Sequence, residues 1–391
     1  MLRRIAILGA SGAVGAALAA HILRARLLEP QDQLLLVGHG VLATERKLLS
    51  MRIDLMDAFD EDRVRIEVVP DASDVEADIV VVAAGTTVTS AAQTRRDLAA
   101  TNRVIFEKIA DQCVARLSDA WFIVVSNPVE LAVKIFSLAG ERKRVIGMGA
   151  EQDSLRFARA VAADLGVSRH EVRATVLGEH GGALIPLWRS VELMTVDPRA
   201  AERLARLRTR SAEAPLAVRV ASLCSEVSRH VSKNRISEAY ELTQRALPDA
   251  RIFVQPFITN HGLHSTPNAT ANATLELLAA ALANDHRRNY GQVDLRGEVL
   301  GLYGVCGIPL TIRKNGWHAE PLDWLEPEEI NAVKKSTESI EEFISGTLID
   351  GVRETLSPEE LFMLEGSSFD KLPIGEPTPD DSAHPESGSL N

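Results

Sequence analysis

The chain has 391 residues, 46% hydrophobic and 25% charged, the composition of a globular protein long enough for two domains or for one domain with a large lobe. Its net charge of −11 is uneven: residues 351–391 hold nine acidic against two basic side chains, which leaves about −4 for the rest. Such a mildly acidic body argues against nucleic acid as a partner, and three scattered cysteines, Cys113, Cys224 and Cys306, form no metal spacing and point to a reducing, cytoplasmic setting.

The first twenty residues, MLRRIAILGASGAVGAALAA, imitate a secretory signal, with two arginines, an apolar run and small residues. We read them instead as a buried strand over Arg4–Leu8, a glycine turn and a helix over 13–23, because cleavage would remove the strongest motif in the chain. Nothing else reaches the roughly 18 apolar residues of a membrane span, so no membrane partner is expected. Further apolar runs at 33–38, 78–85, 122–128 and 144–149 predict strands, and segments such as 95–117 and 152–165 predict helices between them. Continuous Val/Ile/Leu runs alternating with helices are the pattern of a parallel sheet covered on both faces. Past residue 170 the alternation weakens. A strand in VRATVLG leads to a histidine turn, helices follow over 198–214 and 269–283, paired strands over 299–317, and a terminal helix over 326–343. The expected fold class is α/β, a doubly wound parallel sheet over 1–150 followed by an α+β substrate domain over 151–350. Residues 365–391, rich in Ser, Pro, Gly and Asp, predict a disordered acidic tail.

GASGAVG, residues 9–15, stands between a strand and a helix, the context in which a glycine pattern signals a Rossmann dinucleotide site. Gly9 would permit the tight turn, Gly12 the close approach of a diphosphate and Gly15 close helix–strand packing, with the diphosphate on the N–H groups of the helix start. The middle glycine is displaced by one from the usual pattern, and Ser11 takes its place. Strand two of such folds normally ends in an acid that binds the ribose hydroxyls and repels a 2′-phosphate. Here the position is Gly38, followed by His39. The cofactor is therefore read as NAD(P), with NADP favoured and His39 or Arg46 available to a phosphate.

VLGEHGGALIPLW sets His180 in a turn made by Gly178, Gly181 and Gly182, glycines that let backbone approach a neighbour closely. Taken alone, a histidine there is more often structural than catalytic. The motifs GASGAVG, VVAAG, TRRDLAATN, VSNPVE, RVIGMG, QDSLRF, GEHGG and GIPLTIRKNG, in this order, resemble those of the lactate/malate dehydrogenase family, closely over 1–190 and more loosely over 275–345.

The resemblance implies a reaction and a set of roles. Hydride would pass between NAD(P)H and the C2 carbonyl of a 2-oxo acid, with His180 as the acid/base and Asp153 accepting its N–H. Arg156 would grip the substrate carboxylate. Arg95, rather than the adjacent Arg96, would polarise the carbonyl from a mobile loop, and Asn127 would stand beside the nicotinamide. Gly85 and Asn102 would contact the cofactor. A homodimer or homotetramer is implied, and no metal. The rival reading is a protein that keeps the fold but only binds a dinucleotide or metabolite. A related NAD-dependent glycosidase would need a Cys/His metal cluster that the sequence lacks.

Two departures bear on the substrate. Malate enzymes carry an arginine six residues before the loop arginine, where this chain has Thr89, and no cation lies between Gly85 and Arg95. The glutamine of lactate enzymes is also missing at that point. In addition, HSTPNATANAT begins 84 residues after His180 instead of about fifty, and 235–262 reads as added or rebuilt material beside the pocket. His261, His264, Thr266 and Asn268 are candidates to line that pocket. An atypical 2-oxo acid, neither ordinary malate nor lactate, is expected.

Overall fold

The computed structural model describes residues 3–86, 95–261, 266–284 and 286–355. The chain falls into two compact units, Met1–Thr347 and Leu348–Asn391. Residues 356–391, with the expected tail, lie outside the described residues.

The first part of the chain alternates strand and helix: β1 Arg4–Leu8, α1 Ala13–Arg24, β2 Gln33–Val37, α2 Leu42–Phe59, β3 Arg65–Val69, β4 Ile79–Val82, α3 Arg95–Ile109, β5 Trp121–Val124, α4 Val129–Ala139, β6 Val145–Gly147 and α5 Gly149–Leu165. The second part runs β7 Val172–Gly178, β8 Leu184–Leu193, α6 Pro198–Ala212, α7 Leu216–Val231, α8 Ile236–Arg245, α9 Pro248–His261, α10 Pro267–Ala283, β9 Arg288–Arg296, β10 Tyr303–Arg313, β11 Gly316–Ala319 and α11 Pro327–Thr355.

β-Branched and leucine runs buried along their whole length leave β1, β2, β4 and β5 no solvated face, so helices must cover both sides of the sheet they form. The strands lie in the order β3-β2-β1-β4-β5-β6, all parallel. The order reverses between β1 and β4, and the carboxyl ends of these strands open a crevice there. The sheet continues, without a break, across the expected domain boundary at residue 150. A single pairing, Gly147 with Gln292, joins β6 to antiparallel β9, and β10 meets β7 through Gly307 and Gly178. This seam is lined with glycine because it has no room for more: a methyl at Gly147 would stand 2.7 Å from Val129, and one at Gly291 would stand 2.4 Å from Ile146.

Elements expected from pattern form near their expected places, with ends moved by one to several residues. The predicted helix over 95–117 stops as α3 at Ile109 and widens into a π-turn over Ala110–Val114. The rebuilt stretch after His180 is helical. Helices α7, α8 and α9 share an apolar cluster of Leu223, Val227, Val231, Ala239, Val254 and Ile258, and α9 also packs on α5.

Candidate active site

Helix α5 begins directly after β6, so its first turns emerge at the carboxyl edge of the sheet. Asp153, in its second turn, is only 1% exposed, and both its oxygens are committed. Oδ2 lies 2.7 Å from Nδ1 of His180, and Oδ1 accepts from the Arg156 guanidinium at 2.8 Å. A buried acid bridging two basic groups is not the solvated intrahelical ion pair that the spacing of 153 and 156 would otherwise suggest. An ionised carboxylate can only accept, so Nδ1 of His180 carries the hydrogen and Nε2 is the nitrogen left for chemistry.

The turn after β7 holds the ring in place. Gly178 (φ 85°) and Gly181 (φ 78°) supply left-handed backbone on either side of it. The backbone N–H of His180 donates to Glu130 on α4 at 2.7 Å, and that of Glu179 donates to Ser336 on α11 at 3.1 Å. Gly149 is bare where the ring rests, since a methyl there would stand 2.4 Å from Cγ of His180. Burial opposes charge on the imidazole, but the Asp153 carboxylate, its hydrogen bond and the charge of Glu130 outweigh burial and the Arg156 charge. The His180 pKa is raised above its usual 6.5.

On the other side of the crevice, Gly9 takes φ 81°, and a methyl at Gly15 would stand 2.4 Å from the Gly9 carbonyl oxygen, so the turn and the helix start are closely nested. Gly12 caps α1 with no side-chain hydrogen bond, and the first turn holds no acid. Those first N–H groups are left for an anion, and the glycine turn fits a dinucleotide diphosphate. Ser11 directs its carbonyl to the Lys47 ammonium at 2.5 Å. Gly38 follows β2 against the Pro70 carbonyl, and His39 shares a 2.9 Å hydrogen bond with Thr44.

Gly85 and Thr86 follow β4, and Asn127 follows β5, where it is exposed. Asn102, expected to contact the cofactor, is instead fully buried. Its amide donates to the Thr86 and Asn127 carbonyls and accepts from the Thr86 N–H and hydroxyl. It ties the segments after β4 and β5 together. Arg95 starts α3, but its side chain lies outside the described residues, as do Thr89, His264 and the side chain of His261. Thr266 accepts a 3.3 Å hydrogen bond from Gln152, next to Asp153, while Asn268 is exposed.

Glu130, Gly149, Gln152 and Ser336 escaped sequence reasoning. Only Glu130 left a signal, an acid in an otherwise apolar helix start, VELAVKIF. Among the described residues no group of three or more His, Cys, Asp or Glu side chains could hold a metal, and no helix is long and apolar enough to cross a membrane.

Comparison with known proteins agrees with this architecture. Residues 3–147 match the family profile described as lactate/malate dehydrogenase, NAD binding domain. Over 350 residues the chain is 27% identical to the L-2-hydroxycarboxylate dehydrogenase (NAD(P)(+)) of Methanocaldococcus jannaschii, covering 87% of this chain and 97% of that protein. It is 36% identical over 245 residues to the L-lactate dehydrogenase of Shouchella clausii, covering 62% and 65% of the two chains. The malate dehydrogenase structure from Aeropyrum pernix superposes with a TM-score of 0.68 at 23% identity, over 91% of this chain and 99% of that one, which speaks for the fold. With a six-stranded parallel sheet and a glycine turn at its first crossover, residues 3–147 match the NAD binding domain of the lactate/malate dehydrogenase family, and the chain as a whole is similar to hydroxy acid dehydrogenases.

Proposed function

We propose that the protein is an NAD(P)-dependent 2-hydroxy acid dehydrogenase, interconverting a 2-oxo acid and its 2-hydroxy acid. The observation that carries this reading is the His180–Asp153–Arg156 chain, a buried carboxylate holding an imidazole on one oxygen and a guanidinium on the other. When bound, the dinucleotide supplies the hydride. Every other requirement falls to this chain's own residues. Arg156 takes the substrate carboxylate on the donors that Asp153 leaves over, with a planar fork that a lysine lacks. His180 holds a proton at Nε2, gives it to the C2 oxygen during reduction and removes it during oxidation. Asp153 stabilises the imidazolium and fixes its tautomer. Asn127, at the β5 exit, and Arg95, whose backbone starts α3, complete the set of roles that the family resemblance implies.

Between the two coenzymes we favour NADP, because β2 is followed by Gly38, with no carboxylate at that position to repel a 2′-phosphate. A substrate other than malate or lactate is supported by the absence of any cation between Gly85 and Arg95 and by the helical block that replaces the expected short connection after His180. A cytoplasmic homodimer or homotetramer accords with the family and with three unpaired cysteines. Spectrophotometric turnover of a panel of 2-oxo acids, run with NADH and again with NADPH, tests the reading. Oxidation of either coenzyme by at least one 2-oxo acid is expected. No turnover with any acid and either coenzyme refutes it, and a preference for oxaloacetate or pyruvate far above all others refutes the atypical substrate.

A further inference from the structure

Around the exit of β2, His39 and Lys47 form no ion pair among the described residues. Lys47 projects from α2 onto the phosphate turn, and its ammonium lies 2.5 Å from the Ser11 carbonyl. Among the described residues Lys47 meets no carboxylate within ion-pair distance, and its side chain is exposed. An exposed ammonium held on a neutral carbonyl keeps donors free for an anion. Thr44 lies three residues earlier on the same helix face and holds the His39 ring by a 2.9 Å hydrogen bond. Lysine, imidazole and the Thr44 hydroxyl thus stand on α2 and at the β2 exit, with the lysine bound to the glycine turn. The site that an acid would occupy is Gly38.

We propose that Lys47, supported by His39 and Thr44, binds the 2′-phosphate of NADP and sets the coenzyme preference, a role that rests on the dinucleotide reading above. Two carboxylates border this cluster: Glu45, in the first turn of α2, and Asp71, beyond β3. The Asp71 Oδ1 is engaged by the Ser73 N–H and hydroxyl and by Gln112, and its Oδ2 would stand 3.3 Å from a methyl at Gly40. Asp71 is thereby oriented by protein donors and is a competing determinant of the ribose end.

The test is a titration of the full chain and of Lys47→Met and Lys47→Arg with NADPH, NADH, 2′,5′-ADP and 5′-AMP. In the wild type, NADPH and 2′,5′-ADP should bind more tightly than NADH and 5′-AMP. In Lys47→Met the NADPH-to-NADH affinity ratio should fall by about 10- to 100-fold, the worth of one charge-assisted hydrogen bond, and Lys47→Arg should restore most of it. An unchanged ratio in Lys47→Met overturns the proposal while leaving the dehydrogenase reading intact. A wild type that prefers NADH, and gains NADPH binding in Asp71→Asn, overturns it in favour of Asp71. Failure of both dinucleotides to bind removes both readings together.

Discussion

Asp153 serves two cations with one carboxylate, and this couples acid strength to geometry. The raised His180 pKa means that the imidazolium persists to higher pH than an ordinary histidine would allow. Reduction consumes that proton, so the rate of 2-oxo acid reduction should fall as pH rises through the raised value. Asp153→Asn removes the charge, and the descending limb of the pH–rate profile should then move to lower pH, with kcat down by about 10²- to 10⁴-fold, the usual worth of a positioned acid. A limb that stays in place would show that Asp153 does not tune the ring. The same shift bears on stability: a histidine whose folded pKa is raised adds stability in full below its unfolded value of 6.5, and this contribution is lost as pH rises through the folded value. Gly149 acts by absence. Gly149→Ala would push a methyl into the imidazole, and a ring displaced by about 1 Å should cost on the order of 100-fold in kcat with the fold retained. Circular dichroism alongside kinetics separates that outcome from unfolding.

Helix α5 also carries Glu151, which is buried and accepts the Tyr290 N–H of β9 at 2.7 Å. Burial, against the hydrogen bonds it accepts, pushes its pKa from 4.5 up to about 8. An acid with a raised folded pKa keeps its proton longer in the native state than in the unfolded chain. Stability therefore declines as pH climbs from about 4.5 to about 8 and is level beyond that. Glu151→Gln keeps an acceptor for Tyr290 without a charge, so its thermal midpoint should exceed that of the wild type at pH 8, with the gap closing near pH 5. An equal gap at both pH values would reject the buried-acid account. Strand β9 was not legible in the sequence for a related reason. RNYGQVDLR mixes Asn289, Gln292 and Asp294 into a buried strand, so neither a continuous apolar run nor a clean alternation marks it. The apolar parallel strands β1, β2, β4, β5 and β6 were legible, whereas the edge strand β3, RIEVV, was not, because Arg65 and Glu67 interrupt it on its exposed face. Of the site, His180, Asp153 and Arg156 could be read from motifs in order. Glu130 and Gly149 could not, because their importance lies in contacts across 50 and 31 residues of chain.

At the scale of the whole described fold, the helices α7 to α9 are fastened to the catalytic part by buried polar links as well as by apolar packing. Asp249 on α9 accepts two hydrogen bonds from Arg219 on α7, each 2.6 Å, and one from the Trp188 indole on β8 at 2.8 Å. Arg251 reaches from α9 to Asp164 on α5. Removing one partner of a buried pair strands the other, so Asp249→Ala should lower unfolding stability by about 3–5 kcal/mol, read from denaturant midpoints. A loss below about 1 kcal/mol would mean that water satisfies Arg219 as well as the carboxylate does.

The seam between β6 and β9 has a different bearing. It is crossed by one backbone pairing, and on both of its edges hydrogen is the only side chain that fits. Gln292 reaches across it to take the Ala150 N–H, next to the glycine on which the imidazole rests. In the sheet itself the nucleotide-side strands and the strands behind the histidine thus meet at one residue pair, and α4 and α5 pack across that join onto β9. Substitutions there, although they touch no ligand, would be read out first as a change in where a proton can be delivered.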